Sequence, residues 1–287
     1  MWTSRRKQRR GTILASVLRS SAVTIFIAGL PFGSMAWGQT IEAVDRTALR
    51  ICADPHNLPF SNDKGEGFEN KIAELLASEM KVPVHYTFYP QSIGFLRNTL
   101  AARRCDLVMG MPSGNDLVLS TNPYYRSAYA IVSRADRNIN IDRLDDPSLK
   151  TMHIGLIAGT PPATLISDQG LLENVRPYPL VVDTRYDAPG KQMLDDIAKG
   201  EIDVGILWGP IAGYFAKQQN PPLKVVPLVH ERPGSFMDFW ISMGVRTNET
   251  QWKHDLNELI QRKRPEIEAI LKDFGVPLLG SNGELLQ

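Results

Sequence analysis

The stretch RICADPHNLPF, residues 50–60, carries an apolar run that breaks without transition into polar, proline-rich chain. Leu49 to Ala53 reads as a short buried strand, and Asp54, Pro55, His56, Asn57 and Pro59 end it. A cysteine, a carboxylate and an imidazole therefore stand at or just past the end of a strand. Three readings are open for such a cluster: a thiol nucleophile, a metal site, or the lip of a binding cleft.

Working outward, strands and helices alternate. Phe68, Ile72, Leu75, Leu76 and Met80 recur at helical spacing. A strand over Val84–Tyr89, a helix around Phe95–Ala102 and the strand Asp106–Gly110 follow. After the strand Tyr129–Ser133, a charged stretch reads as the crossing into a second unit. That unit begins with the strand Met152–Ile157, and Thr160 and Pro161 suit the N-cap and first position of a helix. Strands are expected at Leu180–Val182 and Val204–Leu207, with the helix between them stopping at Gly200. An apolar strand, Phe239–Val245, and an amphipathic helical region from about Gln251 to Leu271 close the chain, with Pro265 starting a new turn.

Alternating strands and helices imply an α/β protein with parallel sheets covered on both faces. The second unit is inserted before the first is finished, so two lobes joined by two crossings are expected: 48–133 with 239–287, and 134–238. Open α/β sheets bind ligands beyond the carboxyl ends of their strands. Asp54, Asn57 and Phe60, then Met111, then Gly159 and Thr160, then Trp208 all fall at such ends. They are expected to converge on a cleft between the lobes, with Tyr124 adding a ring and Tyr125 packing inside its lobe. The amides before Thr160 form an anion-ready helix start, although a simple capped helix reads the same way.

The first 38 residues read as an export signal. Arg5, Arg6, Lys7, Arg9 and Arg10 precede an apolar core at 22–30, and small residues allow cleavage after about Gly38, leaving 39–47 as a linker. The apolar core falls short of the ~30 Å of a bilayer's hydrocarbon. In an oxidising compartment two thiols tend to pair, so the two cysteines, Cys52 and Cys105, are expected as a disulfide.

The 287-residue chain has 43% hydrophobic and 22% charged residues, an ordinary globular composition. A net charge of +1 gives no nucleic-acid footprint. Asp54 and His56 lack further ligands at metal spacing, and NDKGEGFE (62–69) breaks the alternating oxygen pattern of a calcium loop, so no metal site is expected. No Ser-His-Asp order, paired catalytic carboxylates or phosphate-cradling glycine loop points to an enzyme.

The segments LRICADPHNLPFSN, GEGFENKIAELLA, STNPYY, LDDPSLKTMHIGLIAGT and GEIDVGILWGP stand in the order of periplasmic solute-binding proteins of the amino-acid-binding type. This resemblance implies the two-lobed type II periplasmic-binding (Venus flytrap) fold, with strands one and three adjacent and the disulfide inside lobe one. The departures from that group are informative. Its carboxylate-forking Arg falls near Gly114, its ammonium-binding Asp at Trp208, and a third, commonly acidic, position at Lys71. CADPHNLPFSN, CDLVMGMP and ILWGPIAGYFA are similar to the J-type accessory proteins of pyrroloquinoline quinone (PQQ) methanol dehydrogenases. The resemblance implies a periplasmic, non-enzymatic partner of such a dehydrogenase, calcium- or lanthanide-dependent, with no cofactor of its own. The alternative is the solute-binding component of an ABC transporter for a small ligand other than an amino acid.

Overall fold

A computed structural model describes residues 43–286; the expected signal segment, 1–38, lies outside the described residues. The chain runs through β1 (Leu49–Ala53), the short pair β2 (His56–Asn57) and β3 (Ser61–Asn62), α1 (Phe68–Met80), β4 (Val84–Phe88), α2 (Phe95–Asn98), β5 (Leu107–Pro112), β6 (Leu119–Ser120) and β7 (Tyr125–Arg134). It continues through β8 (Ile154–Ile157), α3 (Pro161–Asp168), β9 (Val175–Tyr178), α4 (Pro189–Lys199), β10 (Val204–Trp208), α5 (Gly209–Ala216) and β11 (Leu223–Pro227). It then returns through β12 (Asp238–Val245), α6 (Thr250–Arg262) and α7 (Arg264–Asp273).

The fold is the two-lobed α/β fold expected. In lobe one the strand order is β4-β1-β5-β12-β7, and in lobe two β7-β10-β8-β9 with β11 on the other side of β7. β1 lies parallel to β4 and β5, and β8 parallel to β9 and β10, as helical crossovers require. The sheets are not wholly parallel, however. β12 runs antiparallel to β5 and β7, and β7 antiparallel to β10 and β11. The long strand β7 serves both lobes: Tyr125–Ala128 pair with β12, and Tyr129–Ser133 pair with β10. Its middle therefore marks the floor between the lobes.

Each lobe has its own core. In lobe one, Phe68, Ile72 and Leu76 of α1 pack with Trp252 and Leu256 of α6 against Leu49, Leu107 and Met243 of the sheet. In lobe two, Met193, Leu194 and Ile197 of α4 meet Leu207, Ala212 and Phe215, and Ile154, Ile166 and Ile206 form a second cluster.

Two elements differ from expectation. The second helix stops at Asn98. Thr99 turns its hydroxyl back to donate to the Phe95 carbonyl at 2.6 Å, with its backbone already out of the helical region, a local bond that competes with helix propagation. The strand expected at Leu180–Val182 lies earlier, at Val175–Tyr178. Pro177 masks that strand, yet β9 is an edge strand, where a residue without an N–H is tolerated.

Candidate functional site: an aromatic interlobe cavity

Where the strand ends of the two lobes meet, two adjoining chambers of about 350 and 270 Å³ share Phe60, Gln91, Tyr129 and Trp208 as walls. Asn57 from lobe one, and Thr160, Thr184, Lys191 and Phe215 from lobe two, complete the larger. Glu69, Gly110, Tyr125 and Phe239 complete the smaller.

Trp208 is the partition. It ends β10, and α5 starts at the next residue. A Cβ on Gly209 would fall 2.3 Å from the Ala128 carbonyl, so only glycine lets the turn approach β7 this closely. Held there, the indole stands edge-on to Tyr129 (5.2 Å between centroids) and Phe239 (6.0 Å). Though carried by a lobe-two strand, it packs against the lobe-one core.

Asp54 ties the lobes together and is only 2% exposed. Its carboxylate accepts from the backbone N–H of His56 (2.8 Å) and of Gln91 (2.5 Å) within lobe one. The hydroxyl of Thr184, from lobe two, donates to the same carboxylate at 2.9–3.0 Å. These donors occupy Asp54 as a latch. Asn57 donates to the Gln91 side chain at 2.8 Å, and Phe60 packs edge-on to Phe68.

The other site residues expected from sequence divide. Asn57, Phe60, Thr160 and Trp208 line the cavity. Met111 instead packs beside Cys52, Phe95 and Cys105, and Gly110, one residue earlier, borders the smaller chamber. Tyr124 is buried, its hydroxyl accepting from the Gly110 N–H at 3.1 Å, while its neighbour Tyr125 reaches the chamber wall. Gly159 is an exposed turn residue with φ +76°. Thr160 occupies the N-cap position of α3, but its hydroxyl donates backward to the Ile157 carbonyl at 2.7 Å and caps nothing.

Sequence reasoning missed Glu69, Gln91, Tyr129, Thr184 and Phe239. Glu69 is the second residue of α1, where an acidic side chain is usually explained by the helix dipole alone. Here it turns inward, against Gly110. A Cβ on Gly110 would lie 2.4 Å from Glu69 Oε1, so glycine makes room for the carboxyl. Burial among aromatic walls pushes the Glu69 carboxyl up to about 8. The Tyr129 hydroxyl is pushed up to about 12 for the same reason. Among the described residues, no Lys or Arg lines the smaller chamber. In the larger, Lys191 is paired with Asp195 at 2.8 Å. Gly114 has open space around it, and Lys71 reaches Glu74 at 3.3 Å on the surface, so neither contributes to the cavity.

Cys52 and Cys105 form a disulfide with Cα atoms 5.4 Å apart, made reachable by the pairing of β1 with β5. A disulfide sulfur offers no thiolate, so the nucleophile reading of Cys52 ends here. Among the described residues, no three His, Cys, Asp or Glu side chains gather in a way that could hold a metal ion, and no helix is long and apolar enough to cross a membrane.

This architecture is that of a periplasmic binding protein, and the chain belongs to the bacterial extracellular solute-binding proteins, family 3, which match residues 49–275. More particularly, it is 30% identical to protein MoxJ of Methylorubrum extorquens over 292 residues, covering 94% of this chain and 97% of MoxJ. Its fold is similar to that of the periplasmic binding protein XoxJ from Methylobacterium extorquens AM1, with TM-score 0.70 and 44% identity over 81% of this chain and all of that one. It is also similar to MxaJ from Methlophaga aminisulfidivorans, with TM-score 0.72 and 27% identity over 80% of this chain and all of that one. The J-type kinship read from CADPHNLPFSN and ILWGPIAGYFA is borne out by these relatives.

Proposed function

We propose that this is a periplasmic, non-enzymatic accessory protein that binds a PQQ-dependent methanol dehydrogenase, whether calcium- or lanthanide-dependent, and supports its maturation or activity. The supporting observation is the mouth of the interlobe cavity. Ile93 of lobe one is 88% exposed, and Leu180 and Val181 of lobe two are 57% and 58% exposed, all bordering the cavity or the groove beside it. Ile93 and Val181 border one surface groove together with Tyr89 and Arg185. Exposed apolar residues gathered at one place mark a surface that another protein covers. The relatives MoxJ, XoxJ and MxaJ supply the family context, and the basic and apolar segment at 1–38 fits export to the periplasm. An amino-acid cargo fits poorly, because Trp208 stands where a carboxylate would be needed and no Arg forks into the cavity.

The test is genetic and biochemical together. Deleting the gene is expected to lower periplasmic methanol dehydrogenase activity, and expression of the intact protein to restore it. A deletion strain with normal dehydrogenase activity would end the accessory reading and favour the transporter component.

A further inference from the structure

The smaller chamber has a composition that the partner-binding role leaves unused. Five rings, Phe60, Tyr125, Tyr129, Trp208 and Phe239, surround a single carboxyl side chain, Glu69. Three of them, Tyr129, Trp208 and Phe239, stand mutually edge-on at 5.2–6.4 Å, so they form a continuous wall. Glu69 makes no side-chain hydrogen bond or ion pair among the described residues, and no cation borders the chamber. The neighbouring backbone is shaped around it: at Gly110 a side chain would collide with Oε1.

We propose that the smaller chamber is a binding site for an alkylated organic ammonium ion, with Glu69 as counter-charge and the ring wall as cation–π surface. Three physical reasons select this class. A ring face attracts a positive charge, and the attraction grows when water is excluded. One carboxylate cannot hold a calcium or magnesium ion, which takes six or more oxygens. An alkylated ammonium has few or no N–H groups to satisfy, which suits a chamber whose Gln91 side-chain oxygen already accepts from Asn57. The site goes beyond the accessory function and does not rest on it: it shares Trp208 with the surface proposed for the partner, but Glu69 and Phe239 belong to the smaller chamber alone.

The titration of the site follows from its neighbours. The ionisable groups facing Glu69 are the hydroxyls of Tyr86 on β4, of Tyr124 just before β7 and of Tyr125 at its start, and Tyr129 shares the chamber wall. All are raised above the usual tyrosine range by burial, so they stay neutral near pH 8. With the empty-site carboxyl at about 8, a bound cation must displace its proton. Affinity is therefore expected to fall about tenfold per pH unit below 8 and to level off above it.

The experiment is calorimetry on the purified mature protein with choline and its uncharged isostere 3,3-dimethylbutan-1-ol, which have the same shape. Tetramethylammonium serves as a smaller probe. At pH 8.5 choline or tetramethylammonium is expected to bind saturably, at least about tenfold tighter than the isostere. Near pH 7, buffers of different ionisation enthalpy are expected to report release of close to one proton per cation bound. Glu69→Gln is expected to remove both the preference for charge and the proton release, and Phe239→Leu to weaken the cation several-fold while leaving its pH dependence. Thermal melts establish that each variant is folded. Binding of neither cation, equal affinity for choline and the isostere, or a cation affinity unchanged in folded Glu69→Gln would each overturn the proposal.

Discussion

Replacing Glu69 by Gln keeps the shape of the side chain and removes its titration, so it isolates the energetic cost of placing a carboxyl among rings. In the folded protein the carboxyl sits at about 8, against 4.5 for the unperturbed group. A raised acid stabilises the fold most at low pH: between 4.5 and 8 the folded state holds a proton that the unfolded state has released. Stability is therefore full below about pH 4.5 and is lost as pH rises, until the loss levels off above about pH 8. At about 1.4 kcal/mol per pH unit, the span sets an upper bound of about 5 kcal/mol, and the partial exposure of Glu69 to solvent reduces this to about 2–3 kcal/mol. Urea unfolding of both proteins at pH 5 and pH 9 measures it. The two are expected to be similar at pH 5, with Glu69→Gln the more stable by about 2–3 kcal/mol at pH 9. In thermal melts this is a gap of several degrees, at about 2–4 °C per kcal/mol for a domain of this size. Stability curves for the two proteins that run parallel between pH 5 and pH 9 would refute the burial of this carboxyl.

Three further outcomes are expected. Thiol counting on the denatured, unreduced mature protein should find no free cysteine. The double replacement Cys52→Ser, Cys105→Ser should cost about 2–4 kcal/mol, and two reactive thiols in the wild type would contradict the disulfide. Thr184→Val removes the lobe-two donor to Asp54, a hydrogen bond worth about 0.5–1.5 kcal/mol, so the contact between the lobes should loosen. Small-angle scattering should then show a larger radius of gyration, and an unchanged profile would show that the latch does not hold the lobes. Calorimetry with a panel of common amino acids should give no micromolar binding, because an α-carboxylate left unpaired costs several kcal/mol to desolvate; a saturable micromolar signal would restore an amino-acid site.

The alternation of strands and helices, the two crossings and the place of the cleft at strand ends were legible because each depends on local apolar spacing. Cys52 and Cys105 were legible for a different reason: export restricts what two thiols can do. Other features depend on long-range pairing that leaves no local trace. Nothing in the apolar run of β7 records that its first half joins one sheet and its second half another. Trp208, Phe60 and Asn57 could be assigned to the cavity because they end strands or follow them directly. Met111, near the end of β5, and Tyr124, just before β7, face inward instead, since which side of the chain meets the core is decided by its neighbours. Glu69 and Phe239 lie 170 residues apart and meet only when β12 returns to lobe one. Thr160 fits the N-cap rule, and a carbonyl three residues back still takes its hydroxyl.

The proposed function requires association with a quinoprotein methanol dehydrogenase through the cavity and its rim. The most direct measurement is the binding isotherm of the purified mature protein with purified dehydrogenase, for wild type and for Trp208→Ala, with a melting curve for each. Saturable binding is expected, weakened by about 2 kcal/mol or more in the variant while its fold persists, since buried aromatic anchors dominate interface energies. No association between the wild-type protein and the dehydrogenase would rule out the accessory role.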